Sequence, residues 1–354
     1  MDELYYDAID MLKEMISTPS FSREENEVAQ LIEARLKSFG LSPERSGNNL
    51  WCIAPHYSQQ KPTLLLNSHI DTVKPCLGWK HDPFSPSEED DRIYGLGSND
   101  AGASVVTLTA VFRHLYNQNR SYNLILLLSC EEEVSGRGGI ESVLPMLPHI
   151  DVAIVGEPTD MHPAIAEKGL MVLDGEIKGL SGHAARNEGI NAIYKAMTVI
   201  DTLKNLKFEK ESSSLGPVKI TVTQIEAGTQ HNVIPDSCRI VVDVRSTDAY
   251  TNLETLELIR KAVPTQLCTL NPRSTRLNPS GISSDHPLVS RLITMGRTPF
   301  GSPTLSDQAL LPFPSIKLGP GSSSRSHTAD EYIHTHEIRS ALQLYTTLLT
   351  TLNL

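Results

Sequence analysis

Two hydrophobic rhythms divide the chain. Val28, Leu31, Ile32, Leu36 and Phe39 recur at helical spacing before Gly40, so the first forty residues are expected to be helical. Residues 50–54 and 63–67 then read as strands. The second is apolar almost without interruption, as in a strand covered on both faces. Small residues at 98–102 lead into a helix carrying Val105, Val106, Leu108, Thr109 and Phe112. Another buried strand is expected at 124–128, a helix at 140–147 and a strand at 152–155. Strands alternating with helices predict an α/β layer around a mainly parallel central sheet flanked by helices.

Near Gly169 the rhythm changes. Met171, Leu173 and Ile177 alternate in part, while Val218, Ile220 and Val222, and again Ile240, Val242 and Val244, alternate cleanly. Such strands have one wet face, as in an antiparallel sheet covered on one side. With helices expected at 191–205 and 250–262, the order β-α-β-β-α-β resembles a ferredoxin-like unit. Residues 272–284, rich in Pro, Asn and Ser, form a linker, after which a helix at 287–296, a strand at 315–318 and a closing helix at 337–352 restore the first pattern. The expected division is therefore a domain built from 1–168 and 280–354, with an α+β domain, 169–279, inserted in it.

A length of 354 residues suits two domains. The net charge of −11 lacks any basic stretch to offset it, which argues against a nucleic-acid or membrane-surface binder. No run approaches the ~18 apolar residues of a membrane span, and Met1 to Asp10 has no signal-peptide core. Cys52, Cys76, Cys130, Cys238 and Cys268 are scattered and odd in number, so neither a disulfide framework nor a thiolate zinc site is expected. A reducing, cytoplasmic location follows.

The candidate chemistry sits at the ends of the apolar runs. His69-Ile70-Asp71 follows the strand at 63–67; two residues apart, both side chains point the same way in extended chain, which suits an imidazole ligand and a carboxylate that orients it. Asp100 lies among small residues before a helix, where it could bridge two ions or simply cap the helix. Glu131-Glu132-Glu133 follows the strand at 124–128, and three like charges beside a buried strand call for a compensating cation. One could bind metal while another serves as general base. Glu157, in Gly156-Glu157-Pro158, repeats the theme after 152–155. His327 is a late histidine that would close the set, with His334 and His336 as more peripheral rivals.

Taken in order, Ser-His-Ile-Asp, Gly-x-Gly-x-x-Asp, Glu-Glu-Glu, Val-Gly-Glu-Pro-Thr, Ser-Gly-His, Asn-Val-Ile-Pro and His-Thr-Ala-Asp-Glu-Tyr resemble the di-zinc amidohydrolases that include acetylornithine deacetylase, succinyl-diaminopimelate desuccinylase, aminoacylase and carboxypeptidase G. The resemblance runs over nearly the whole chain. It implies two Zn2+ per chain, with Co2+ able to substitute. Asp100 would bridge, His69 and Glu157 would complete one site, and Glu133 with His327 the other. Glu132 is the implied general base, with Asp71 tuning His69; the other register makes Glu131 the base and Glu132 a ligand. His183 is implied to hold the oxyanion in a neighbouring subunit of a homodimer, and Asn232 and Arg245 to contact substrate.

Leu96 and Ala101-Gly102-Ala103 depart from the wording usual around the bridging aspartate. The expected activity is hydrolysis of a small N-acyl amino acid, most like N-acetyl- or N-succinyl-ornithine in arginine biosynthesis. A succinyl-diaminopimelate desuccinylase, a dipeptidase and a binding protein without catalysis are the alternatives. A succinyl tail would call for a further cation, with Arg276 or Arg325 as candidates.

Overall fold

Residues that are apolar at every position can be buried on both faces of a sheet, and the strands Thr63–His69, Asn123–Ser129, Val152–Val155 and Ser315–Lys317 are buried along their full lengths. The computed structural model describes residues 1–354. In it, Thr63–His69 pairs in parallel with Asn123–Ser129 on one side and Val152–Val155 on the other. Ser315–Lys317 extends the parallel set beside Val152–Val155. Antiparallel strands finish the edges: Asn49–Ile53 against Asn123–Ser129, then Glu44–Ser46, and at the far side a bridge from Lys317 to Ala164.

Alternation decides which core each side chain enters. Leu64, Leu66, Leu124, Leu126 and Leu128 pack under the helices Asp2–Ile16, Asn26–Ser38, Ala103–Leu115 and Thr335–Thr351. Leu65, Ile125, Leu127 and Ala153 face the opposite way, onto Trp51, Ile140, Val143 and Ile150. Each fully buried leucine contributes about 1.5–3 kcal/mol, which is why leucine fills the middle of these runs and polar residues stay at their ends. The helix expected over 140–147 is shorter. It spans Ile140–Val143 and tightens into a 3-10 turn at Leu144–Met146, because Pro145 has no N–H to give.

Two compact units emerge. One comprises Met1–Ile165, Gly281–Phe300 and Ser306–Leu354; the other comprises Ala166–Ser280 with Gly301–Leu305. In the second, Met171–Lys178, Lys219–Ala227, Ser237–Arg245 and Thr269–Pro272 make a four-stranded antiparallel sheet. Numbered along the chain, their order in space is 4-1-3-2, the ferredoxin-like arrangement. The helices Ala192–Asn205 and Asn252–Ala262 cover one face, so inward residues such as Leu173, Ile240 and Val242 are buried. No helix is long and apolar enough to cross a membrane.

The first unit also holds a feature the hydrophobic pattern does not announce. Ser87–Glu89 and Arg92–Tyr94 form a hairpin, and Tyr332–His334 adds a third antiparallel strand to it.

Candidate metal centre

Parallel strands bring their C-terminal ends to one edge, and ligands collect there. His69 ends its strand and is 2% exposed. Its Nδ1 lies 2.9 Å from the backbone carbonyl of Asp71. With that nitrogen donating, Nε2 keeps a free lone pair, the form a metal takes. Nε2 points at Asp100 Oδ1, 3.2 Å away, and at Glu157 Oε1, 3.8 Å away. The other Asp100 oxygen, Oδ2, lies 3.6 Å from His327 Nε2, which is also 3.0 Å from Glu133 Oε2. Asp100 thus stands between two imidazoles with one oxygen toward each. Ligand atoms of His69, Glu132 and Glu157, and separately of His69, Asp100 and Glu133, lie within 4.8 Å of one another.

The three adjacent glutamates diverge. Glu132 and Glu133 turn into this cluster, whereas Glu131 turns away: its Oε2 accepts from the Gly138 N–H at 3.3 Å and lies 4.0 Å from Arg23 Nε. A Cβ at Gly136 would stand 1.9 Å from that same oxygen, so glycine there makes room for the glutamate. Asp71 fixes the turn. Its carboxylate accepts from the Glu132 N–H (3.0 Å), the Glu133 N–H (3.2 Å) and the Ser22 hydroxyl (2.7 Å), while standing 3.6 Å from His69 Nδ1. Burial opposes ionisation of Asp71, but the bonds from His69, Ser22 and Glu132 prevail and hold it below the usual carboxylate range.

Sequence reasoning gave no role to two residues that shape the cluster. Glu331 is buried, and its carboxylate accepts the N–H groups of Gly97 (3.0 Å), Asn99 (2.9 Å) and Asp100 (2.9 Å). It therefore sets the loop that aims Asp100. Burial, with the nearby Asp100 charge, pushes its carboxyl up to about 8. Asp307 accepts from the Ser129 hydroxyl at 2.6 Å, and Asn67 donates to that hydroxyl at 2.9 Å. Its carboxyl is pushed up to about 6 by burial.

Replacing Glu331 by Gln points an amide N–H₂ at backbone donors. Losing such a bond to a buried group costs about 1–3 kcal/mol. Glu331→Gln is expected to lower the unfolding free energy by that amount and to weaken metal retention in dialysis; unchanged values in both would refute the clamp.

The donor set fits a pair of divalent cations. Burial, then the charges of Asp100 and Glu133, pushes Glu157 up to about 8 despite the help of His69 and Lys317. Burial and its carboxylate neighbours drive Glu132 well above the usual range as well. Carboxylate oxygens and imidazole nitrogens without enough positive charge of their own are what hard or borderline divalent ions satisfy.

Comparison with known proteins bears on this centre. Residues 65–351 match the model of peptidase family M20/M25/M40. The chain belongs to that family. This M20 chain is 27% identical to the acetylornithine deacetylase of Pectobacterium carotovorum over 95% of each protein. It is 26% identical to a probable carboxypeptidase of Aspergillus flavus, covering 94% of this chain and 84% of the relative.

Its fold matches aminopeptidase PepT of Bacillus cereus at 18% identity with a TM-score of 0.79, over 97% of both chains. It also matches a dinuclear metal-binding M20 peptidase of Bacillus subtilis at 16% identity and a TM-score of 0.76, over 98% of both. The M20 chain is accordingly a metal-dependent amidohydrolase with a mainly parallel α/β catalytic layer.

The remaining expected residues lie in the inserted unit. His183 is exposed; its Nδ1 accepts from the Ala185 N–H at 3.1 Å, which leaves Nε2 outward. Asn232 is its neighbour, its carbonyl accepting from the Ala184 N–H at 3.0 Å. Arg245 is bonded through Nε and Nη2 to both oxygens of Asp243, at 2.9 and 3.2 Å. Arg325, considered for a succinyl tail, donates to both oxygens of Glu337 (2.9 and 2.6 Å) and lies over the Tyr332 ring. Its charge serves the entry to the last helix.

Proposed function

We propose that this M20 enzyme removes the acyl group from an N-acyl amino acid, with N-acetyl-ornithine as the leading candidate, in a cytoplasmic homodimer carrying two Zn2+ per chain, with Co2+ as a working substitute. The observation that carries the reading is Asp100 standing between His69 and His327, with Glu157 and Glu133 on the respective sides. His69 and Glu157 would hold one ion, Glu133 and His327 the other, and Asp100 both. When bound, such ions polarise the amide carbonyl and make water acidic enough to attack near neutral pH.

The chain's own groups do the rest. Glu132 takes a proton from the attacking water on its carboxylate and gives it to the leaving nitrogen, completing hydrolysis without net proton change. Its raised affinity for a proton suits that shuttle once cations have brought it back toward neutrality. Asp71 keeps Glu132 and Glu133 in place through their backbone N–H groups. His183 of a second copy would donate through Nε2 to the developing oxyanion, which makes dimerisation through the inserted unit part of the reading. Asn232 would contact the substrate, and Arg245 would exchange Asp243 for the substrate carboxylate, a pairing its planar fork favours.

The acetyl group is placed ahead of succinyl because, of the two cations considered for a succinyl tail, Arg325 is already engaged by Glu337. The deciding experiment offers purified enzyme acetyl-ornithine, succinyl-ornithine, succinyl-diaminopimelate and dipeptides. We expect kcat/KM for acetyl-ornithine to lead by about tenfold or more, or ~1.4 kcal/mol in the transition state. A lead for dipeptides would transfer the protein to the peptidases of the family, and no turnover on any substrate by metal-loaded protein would favour a binding role.

A further inference from the structure

The hairpin Ser87–Glu89 and Arg92–Tyr94 turns at Asp90 and Asp91, both with positive φ (45° and 66°). Tyr332–His334 pairs beside it with His334 opposite Arg92, and the chain then enters the helix Thr335–Thr351. Asp91 is pinned from that side: its carbonyl accepts the Thr335 N–H at 2.9 Å and its Oδ1 accepts the Thr335 hydroxyl. Its Oδ2 is bonded to His336 Nδ1 and lies 3.6 Å from His334 Nδ1. That His334 nitrogen is buried and makes no full hydrogen bond, although it faces the Glu337 N–H in a capping-box arrangement at the helix entry. The two imidazole centroids are 5.0 Å apart, and one ligand atom from each of the three residues falls within 4.8 Å of the others.

We propose that Asp91, His334 and His336 form a further divalent-metal site, separate from the active centre, that takes a late first-row transition ion such as zinc or copper. Two imidazoles and a carboxylate are a donor set for such ions, with water as a fourth ligand. Metal–ligand bonds of about 2.0–2.2 Å place tetrahedral donors roughly 3.3 Å apart. The His334–Asp91 separation of 3.6 Å is close to that value, and His336, whose side chain is 65% exposed, is free to swing to meet it. Glu89 and Asp90 add negative charge beside the site in the sequence, while Glu88 is paired with Lys13.

The ion ties the hairpin to the start of the Thr335–Thr351 helix. Its strand begins at Tyr332, directly after the Glu331 that aims Asp100. Filling the site therefore stiffens the support of the active centre without touching it, and the inference stands whatever the substrate proves to be.

The test compares whole protein, its active centre already loaded, with the variants His336→Ala and Asp91→Asn. Asparagine tolerates the positive φ at position 91. After equilibration with zinc and gel filtration, the unsubstituted protein is expected to hold one ion more per chain than either variant. Added zinc should raise its thermal midpoint and leave theirs unmoved, because binding stabilises only a folded site. With copper(II), paramagnetic resonance should show coupling to two imidazole nitrogens in the unsubstituted protein and fewer in His336→Ala. Equal zinc counts in all three proteins, or copper spectra that the substitutions leave unchanged, would overturn the proposal.

Discussion

Glu132→Gln is expected to lower kcat by about 10²–10⁴-fold, the range ascribed to a general acid–base. Metal content should stay at the unsubstituted level. Glutamine keeps the volume of glutamate and removes only the group that carries the proton. The ions would be held by His69, Asp100, Glu133, Glu157 and His327, none of which this change alters. Glu131→Gln is the paired control: Glu131 bonds to the Gly138 N–H and faces Arg23, away from the cluster, so turnover should survive its loss. The measurement is kcat together with metal analysis on the same preparations. The reverse outcome, in which Glu132→Gln sheds metal and Glu131→Gln loses activity, would move the base one position toward the N-terminus.

Stripping the ions with a chelator is expected to leave a protein whose stability falls as pH rises from about 5 to about 9, by a total on the order of a few kcal/mol. The sign follows from proton counts. Glu157 and Glu331 are pushed up to about 8 and Asp307 to about 6, chiefly by burial, while Glu132 is driven well above the usual range. In the unfolded chain these carboxyls ionise near 3.8 to 4.5. Between those values and the raised ones, the folded protein keeps protons that the unfolded chain has lost, so stability declines with pH.

Both histidines act in the same direction. Burial opposes protonation of His69, but Asp100 and Asp71 raise it, and Glu133 pushes His327 up to about 9. Their favourable contribution is complete below about 6.5 and is lost as pH passes the raised values. Asp71 and Asp100 are held low and change only in acid, below this window. Bound cations replace the protons, so the loaded protein should lack the decline. Denaturation midpoints at pH 5, 7 and 9, with and without chelator, decide the matter; a metal-free protein that is most stable at pH 9 would contradict the assignment.

Much of the catalytic layer was legible because its strands are buried on both faces. Residues 64–66, 124–128 and 152–155 are apolar at every position, and His69, Glu131–Glu133 and Glu157 announce themselves as ionisable groups placed just beyond those runs. The inserted unit was legible for the complementary reason, since one wet face imposes strict alternation on Ser237–Arg245. Glu331 was not legible as a clamp. It holds three backbone N–H groups, and backbone donors leave no mark on residue identity. Asp307 was equally hidden, because its partner is the hydroxyl of Ser129, a residue that reads as the tail of an apolar strand. The hairpin at 87–94 is short and polar, and its third strand comes from 332–334, so neither length nor periodicity could reveal it. Arg325 illustrates the opposite error: a cation that looks available in sequence is bonded to Glu337.

His327 lies 194 positions after Glu133, and Glu331 231 after Asp100, yet each pair is in direct contact. A nascent chain on the ribosome must therefore have passed residue 327 before its cage for the second ion can exist. Early strands can assemble their sheet during translation, but loading of the second site with metal waits until the segment around residues 327–331 has emerged. A message truncated before codon 327 would leave the centre half-built and also strip the closing helix from the first core, so its product should be both unstable and poor in metal.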